Sequence, residues 1–271
     1  MQRCLVILNR PDQAVVLLSQ AAALIKQVGG DRIDVLAARE PPNEGVGPLS
    51  MTDESIFVMR QDQREWAASL HTLFHQWLEQ EYGSPADRLS AVEVNWLDPE
   101  IAVERIISGY GKDAGLILLS FPDKRDSEQK HRALRAAIFE TGRPLLLVPP
   151  FWDRPCGRRV LMAWRDTPVC RRAFTSSRVL LAQAKSITVL ASDGDAVPPD
   201  LLPGVAYETG YLPHRQGADA VAQQLLDTAH TESADLLVMG GYQHGMLFNR
   251  IMGSVTEYML SHPAIPIFLQ H

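Results

Sequence analysis

The chain has 271 residues, 46% hydrophobic and 21% charged, enough for two domains that each bury a core. A formal charge of −6 excludes a general nucleic-acid or membrane-surface binder, which carries a basic excess. No apolar run nears the roughly 20 residues of a membrane span, and the short run at Leu5–Leu8 breaks at Asn9-Arg10-Pro11, too early for a signal segment. The expected compartment is therefore the cytoplasm. Cys4, Cys156 and Cys170 lack metal-ligand spacing and read as reduced thiols.

In chain order, Arg3–Leu8 reads as a strand, with Asp12 placed as N-cap of a helix that stops at Gly29-Gly30. Ile33–Ala37 is a second strand, and Pro41–Ser50 is loop by its proline and glycine content. Asp53–Tyr82 forms one long helix, with Trp66, Leu70, Phe74 and Trp77 at helical spacing. His71 and His75 stand one turn apart on it, and with no third ligand they read as an amphipathic face rather than a metal site. Ala91–Trp96 alternates like a strand, Pro99–Ser108 is a short helix, and Gly115–Leu119 is the fourth strand. A helix over Glu128–Glu140 and a strand over Pro144–Val148 complete the half. Strands alternating with helices imply a parallel sheet covered on both faces.

Pro149–Pro155 interrupts the pattern, and the same order then restarts, which marks an internal duplication. Strands are expected at Arg159–Trp164, Ile187–Ala191 and Val205–Thr209, and helices at Pro168–Ala184 and Gln216–His230. Asp235–Gly240 is a buried strand ending on glycine; after a loop, a helix starts at Val255, and Ile265–Leu269 is the last strand. The halves are expected to be separate doubly wound units, 1–150 and 156–271, each with a sheet of about five strands. Leu145–Val148 and Ile265–Leu269, both apolar, are expected to meet rather than leave exposed sheet edges.

The stretch from Asp235 onward resembles the carboxyl-terminal signature of the universal stress protein family, Gly-x2-Gly-x9-Gly-Ser/Thr. Gly240 matches its first glycine and Gly253-Ser254 its last pair, while Gln243 replaces the second glycine. The resemblance implies two tandem Rossmann-like domains of the adenine nucleotide α-hydrolase type. It also implies a stress-response binding or sensor role without catalysis, with ATP or another adenine nucleotide as the candidate ligand. The contacts carried over are Leu190, Met239, Gly240, Gly253, Ser254, Val255 and Thr256. Two residues depart from the pattern: Gln243, and Trp164 where the family often has aspartate, either filling the adenine pocket or stacking on a base. In the first half Asn9 takes that aspartate position, and the glycine-free run Ser120–Glu128 replaces the phosphate loop, so any nucleotide belongs to the second half alone. In family members that dimerise, the final strands often meet across the two-fold. That implies an intrachain pseudo-dimer, with a homodimer as a further option. A ligand-independent interaction protein is the competing class, and an adenine-nucleotide-dependent enzyme ranks last, because neither Asn9–Asp12 nor Trp164–Thr167 resembles a pyrophosphate loop.

Overall fold

The computed structural model describes residues 1–40, 52–83, 92–99, 101, 103–123, 125–192, 195, 197, 204, 206–212, 217–241 and 255–271. The first half runs β1 (Arg3–Leu8), α1 (Pro11–Val28), β2 (Arg32–Ala37), α2 (Asp53–Tyr82), β3 (Glu93–Leu97), α3 (Val103–Tyr110), β4 (Leu116–Ser120), α4 (Glu128–Phe139) and β5 (Leu145–Val148). The second runs β6 (Arg159–Trp164), α5 (Pro168–Leu181), β7 (Ser186–Ser192), β8 (Glu208–Leu212), α6 (Ala218–Thr231), β9 (Leu236–Gly240), α7 (Val255–Ser261) and β10 (Ile267–Gln270). The expected loop at Pro41–Ser50 lies outside the described residues.

Local chemistry accounts for the helix ends. The long helix α2 starts where the Thr52 hydroxyl accepts from the Ser55 amide, and it stops at Gly83. Ser127 and Thr167 cap α4 and α5 in the same way. Asp12 does not cap α1: Arg10 holds the N-cap position, Pro11 occupies the first turn, and Asp12 sits within that turn. There its charge still favours the positive end of the helix. Gly29, at φ 67°, closes α1 in the left-handed conformation that glycine adopts without penalty.

The two separate sheets expected from the repeat are in fact one sheet of ten strands, ordered β3-β2-β1-β4-β5-β10-β9-β6-β7-β8. Every pairing is parallel except the seam, where β10 runs antiparallel to β5 with Ile267 opposite Leu147, Phe268 opposite Leu146 and Leu269 opposite Leu145. The reason is backbone chemistry. Each five-stranded unit ends on a short, wholly buried edge strand, and an unpaired row of amides and carbonyls there has no water to satisfy it. The seam continues in a side chain, since Gln270 Nε2 donates to the Gly142 carbonyl.

One sheet means two shared cores rather than one per half. The layer under α1, α2 and α5 joins Leu18, Phe74 and Leu146 of the first half to Trp164, Phe174 and Phe268 of the second. The layer under α3, α4, α6 and α7 joins Ile107 and Ala137 to Leu190, Leu225 and Met259. All three thiols are buried. Burial, helped by Asp34, raises the Cys4 pKa well above the ordinary thiol range, and burial next to Asp235 pushes Cys156 up to about 12. Thiolate is the reactive form. Native protein should therefore give no rapid colour with a disulfide reagent such as dithionitrobenzoate, and three equivalents once denatured; fast labelling of any one thiol in the native state would contradict this packing.

Candidate functional site

A doubly wound sheet binds ligands at the carboxyl ends of its strands, where the strand order reverses. The second half reverses between β6 and β9, and the first between β1 and β4. The second crevice is therefore flanked by Trp164 at the end of β6 and by Met239 and Gly240 at the end of β9.

The carried-over contacts divide between the two faces of the sheet there. Leu190 and Met239, each 5% exposed, belong to the α6–α7 layer. Val255 and the buried Thr256 open α7 on that same side. Trp164 belongs to the opposite layer, fully buried, with its ring 5.0 Å from that of Phe174 and the Arg171 guanidinium 5.5 Å from its centroid. The structure thus places Leu190 and Met239 on the α6–α7 face, on either side of Ala163 of β6, with Val255 and Thr256 opening α7 on that side, and sets Trp164 apart as an α5 packing residue.

Gly240 is constrained by packing as well. A Cβ there would meet the backbone nitrogen of Cys170 at 2.7 Å and its Sγ at 2.8 Å, so only glycine lets α5 lie this close to β9. Gln243, His244, Gly253 and Ser254 lie outside the described residues.

The equivalent crevice of the first half is closed by its own side chains. The Ser120 hydroxyl donates to Asn9 Oδ1 at 2.8 Å, and both groups are buried. Arg10 reaches across to Asp126 at 2.5 Å and lies 3.8 Å from Asp123. The sequence shows this run to be free of glycine but not this lock, because Arg10 and Asp126 are 116 positions apart. On α2, His71 and His75 bring their Nε2 atoms to 3.0 Å, and among the described residues no group of three metal-ligating side chains forms.

Residues 213–270 match the profile of the Universal stress protein family. The matched segment is less than half of the chain. It contains the whole of the candidate crevice except β6 and β7. Across the full chain, a universal stress protein from Archaeoglobus fulgidus DSM 4304 superposes with a TM-score of 0.67 at 13% identity, covering 99% of this chain and 98% of that one. A putative universal stress protein from Pseudomonas aeruginosa UCBPP-PA14 covers 100% and 93% at 15% identity, TM-score 0.54. A functionally unknown protein from Pseudomonas aeruginosa PAO1 covers 100% and 92% at 14% identity, TM-score 0.56. At such identities the likeness is one of fold. No curated protein matches the chain significantly. No helix among the described residues is long and apolar enough to cross a membrane.

Proposed function

We propose that the chain is a cytoplasmic stress-response binding protein that takes an adenine nucleotide in its second half and catalyses no reaction on it. What supports this reading is the asymmetry between the two crevices. In the first, the Arg10–Asp126 pair and the Asn9–Ser120 bond occupy the strand ends. In the second, Leu190 and Met239 stand together on the face from which α7 begins, a setting that suits an adenine ring. Phosphates would lie toward Gly240, Gly253 and Ser254, where glycine permits close approach and amides at a helix start attract anions.

A second reading, the ligand-independent interaction protein, is favoured by two packing facts. Gly240 is required by Cys170 whatever the loop binds, and Trp164 is committed to Phe174. Calorimetry with ATP separates the two. We expect one site per chain, abolished by Gly253→Trp while circular dichroism stays native. Two sites per chain, or a variant that binds like wild type, would refute the placement; absence of heat at millimolar ATP would favour the second reading.

A further inference from the structure

A separate cavity of about 260 Å³ lies at the other end of the second half, where Ala234 leads into β9 and Ile265 into β10. Because the seam is antiparallel, the chain leaving β5 arrives at this end and supplies Trp152 and Arg154 as one wall. Leu226, Ala229 and Ile265 give an apolar lining, with His230 and Ser233 at an exposed rim. Trp152 lines the cavity, and its Nε1 is buried without a hydrogen-bond partner among the described residues.

Arg154 is the polar element with chemistry left over. Its guanidinium stands 4.6 Å over the Trp152 ring, and its carbonyl is held by Gln20 Nε2 at 2.8 Å, which ties the segment to α1. Among the described residues it forms no ion pair within 4 Å. Asp235 feels its charge but accepts from the amides of Gly157, Arg158 and Arg159 at 2.7 to 3.1 Å. A guanidinium stacked on an aromatic ring keeps its edge donors free, and those donors match a carboxylate.

We propose that this cavity binds a small aromatic carboxylate, its ring against Trp152 and Ile265 and its carboxylate on Arg154. Size is consistent with that class: an apolar cavity of roughly 150 Å³ holds a benzene, so about 260 Å³ takes the ring and the acid group together. The site is independent of the nucleotide crevice, being at the opposite end of β9.

The test titrates the full chain with benzoate and, in parallel, with its neutral isostere benzamide, followed by calorimetry and saturation-transfer NMR. One benzoate per chain is expected, with benzamide at least about tenfold weaker, since a charge-assisted pair is lost. Arg154→Gln, at an exposed linker position, should lower benzoate to the benzamide level. Ala264→Phe, at the exposed mouth, should remove both without moving the thermal midpoint. Equal affinity for the two probes, or an unaffected Arg154→Gln, overturns the carboxylate assignment. Binding that survives Ala264→Phe places the site elsewhere, and no binding of either probe at millimolar concentration overturns the proposal entirely.

Discussion

Phe268→Ala should lower stability by about 3–5 kcal/mol, the usual range for truncating a fully buried aromatic, and should do so for the whole molecule at once. Phe268 is 0% exposed and sits on the seam strand between Leu146 of β5 and Val238 of β9, all three in the α5-side layer. Removing its ring opens a void that both halves line. Because the layer is continuous, calorimetry should show a single transition whose midpoint falls by roughly 10 °C, at a few degrees per kcal/mol for a chain of this size. Two transitions, with only the later-sequence half shifted, would mean that the halves fold separately and that the shared core is not cooperative.

Asp34→Ala should cost about 3 kcal/mol, and for a different reason. Asp34 is 0% exposed on β2, and its carboxylate takes Arg3 Nε at 2.5 Å, Arg32 Nε at 2.9 Å and Asn95 Nδ2 at 3.1 Å. Deleting one member of a buried ionic cluster leaves charge without compensation, which is typically worth 3–5 kcal/mol. The lower end applies, because Arg32 keeps 38% of its side chain in solvent and can hydrate, whereas Arg3 keeps 21%. Urea unfolding should show an earlier midpoint with an unchanged slope. Adding Arg3→Met to Asp34→Ala should recover part of the loss by removing the stranded charge. If the double variant is simply the sum of the two singles, the cluster is not coupled and the explanation fails.

The elements with strong local chemistry were legible from the residues alone. Helix α2 begins and ends as read, because Thr52 caps it, Gly83 stops it and Ala67, Leu70, Phe74, Trp77 and Leu78 keep a helical period from its midpoint onward. Strand β8 was read near Val205–Thr209 and lies at Glu208–Leu212. It is an outer strand, mostly exposed, so no buried period marked its register. The final strand starts at Ile267 rather than Ile265, since Pro266 has no amide to give the ladder. The face taken by Trp164 was beyond reach for a different reason. In a strand covered on both sides nearly every residue is apolar, so composition cannot say which side chains share a layer. The meeting of Leu145–Val148 with the last strand was legible in the apolar character of both, but not that backbone pairing there would make the two sheets one. The burial of Asp34 was not legible either, because its partners come from three strands: Arg3 on β1, Arg32 on its own β2 and Asn95 on β3. For the candidate site, the apolar pair Leu190 and Met239 was carried over by family likeness, whereas the lock between Arg10 and Asp126 needed the fold.

The antiparallel seam also determines which way the molecule faces. In a parallel sheet all strands point alike, so two crevices at their carboxyl ends would sit side by side on one rim and compete for the same neighbour. Reversal at β5 and β10 turns the second half end over end, so the closed, charge-laced rim around Arg10 and the candidate nucleotide rim around Met239 look in opposite directions. A partner bound at one leaves the other uncovered. A single chain with this polarity therefore presents its two strand-end rims on opposite sides of one sheet.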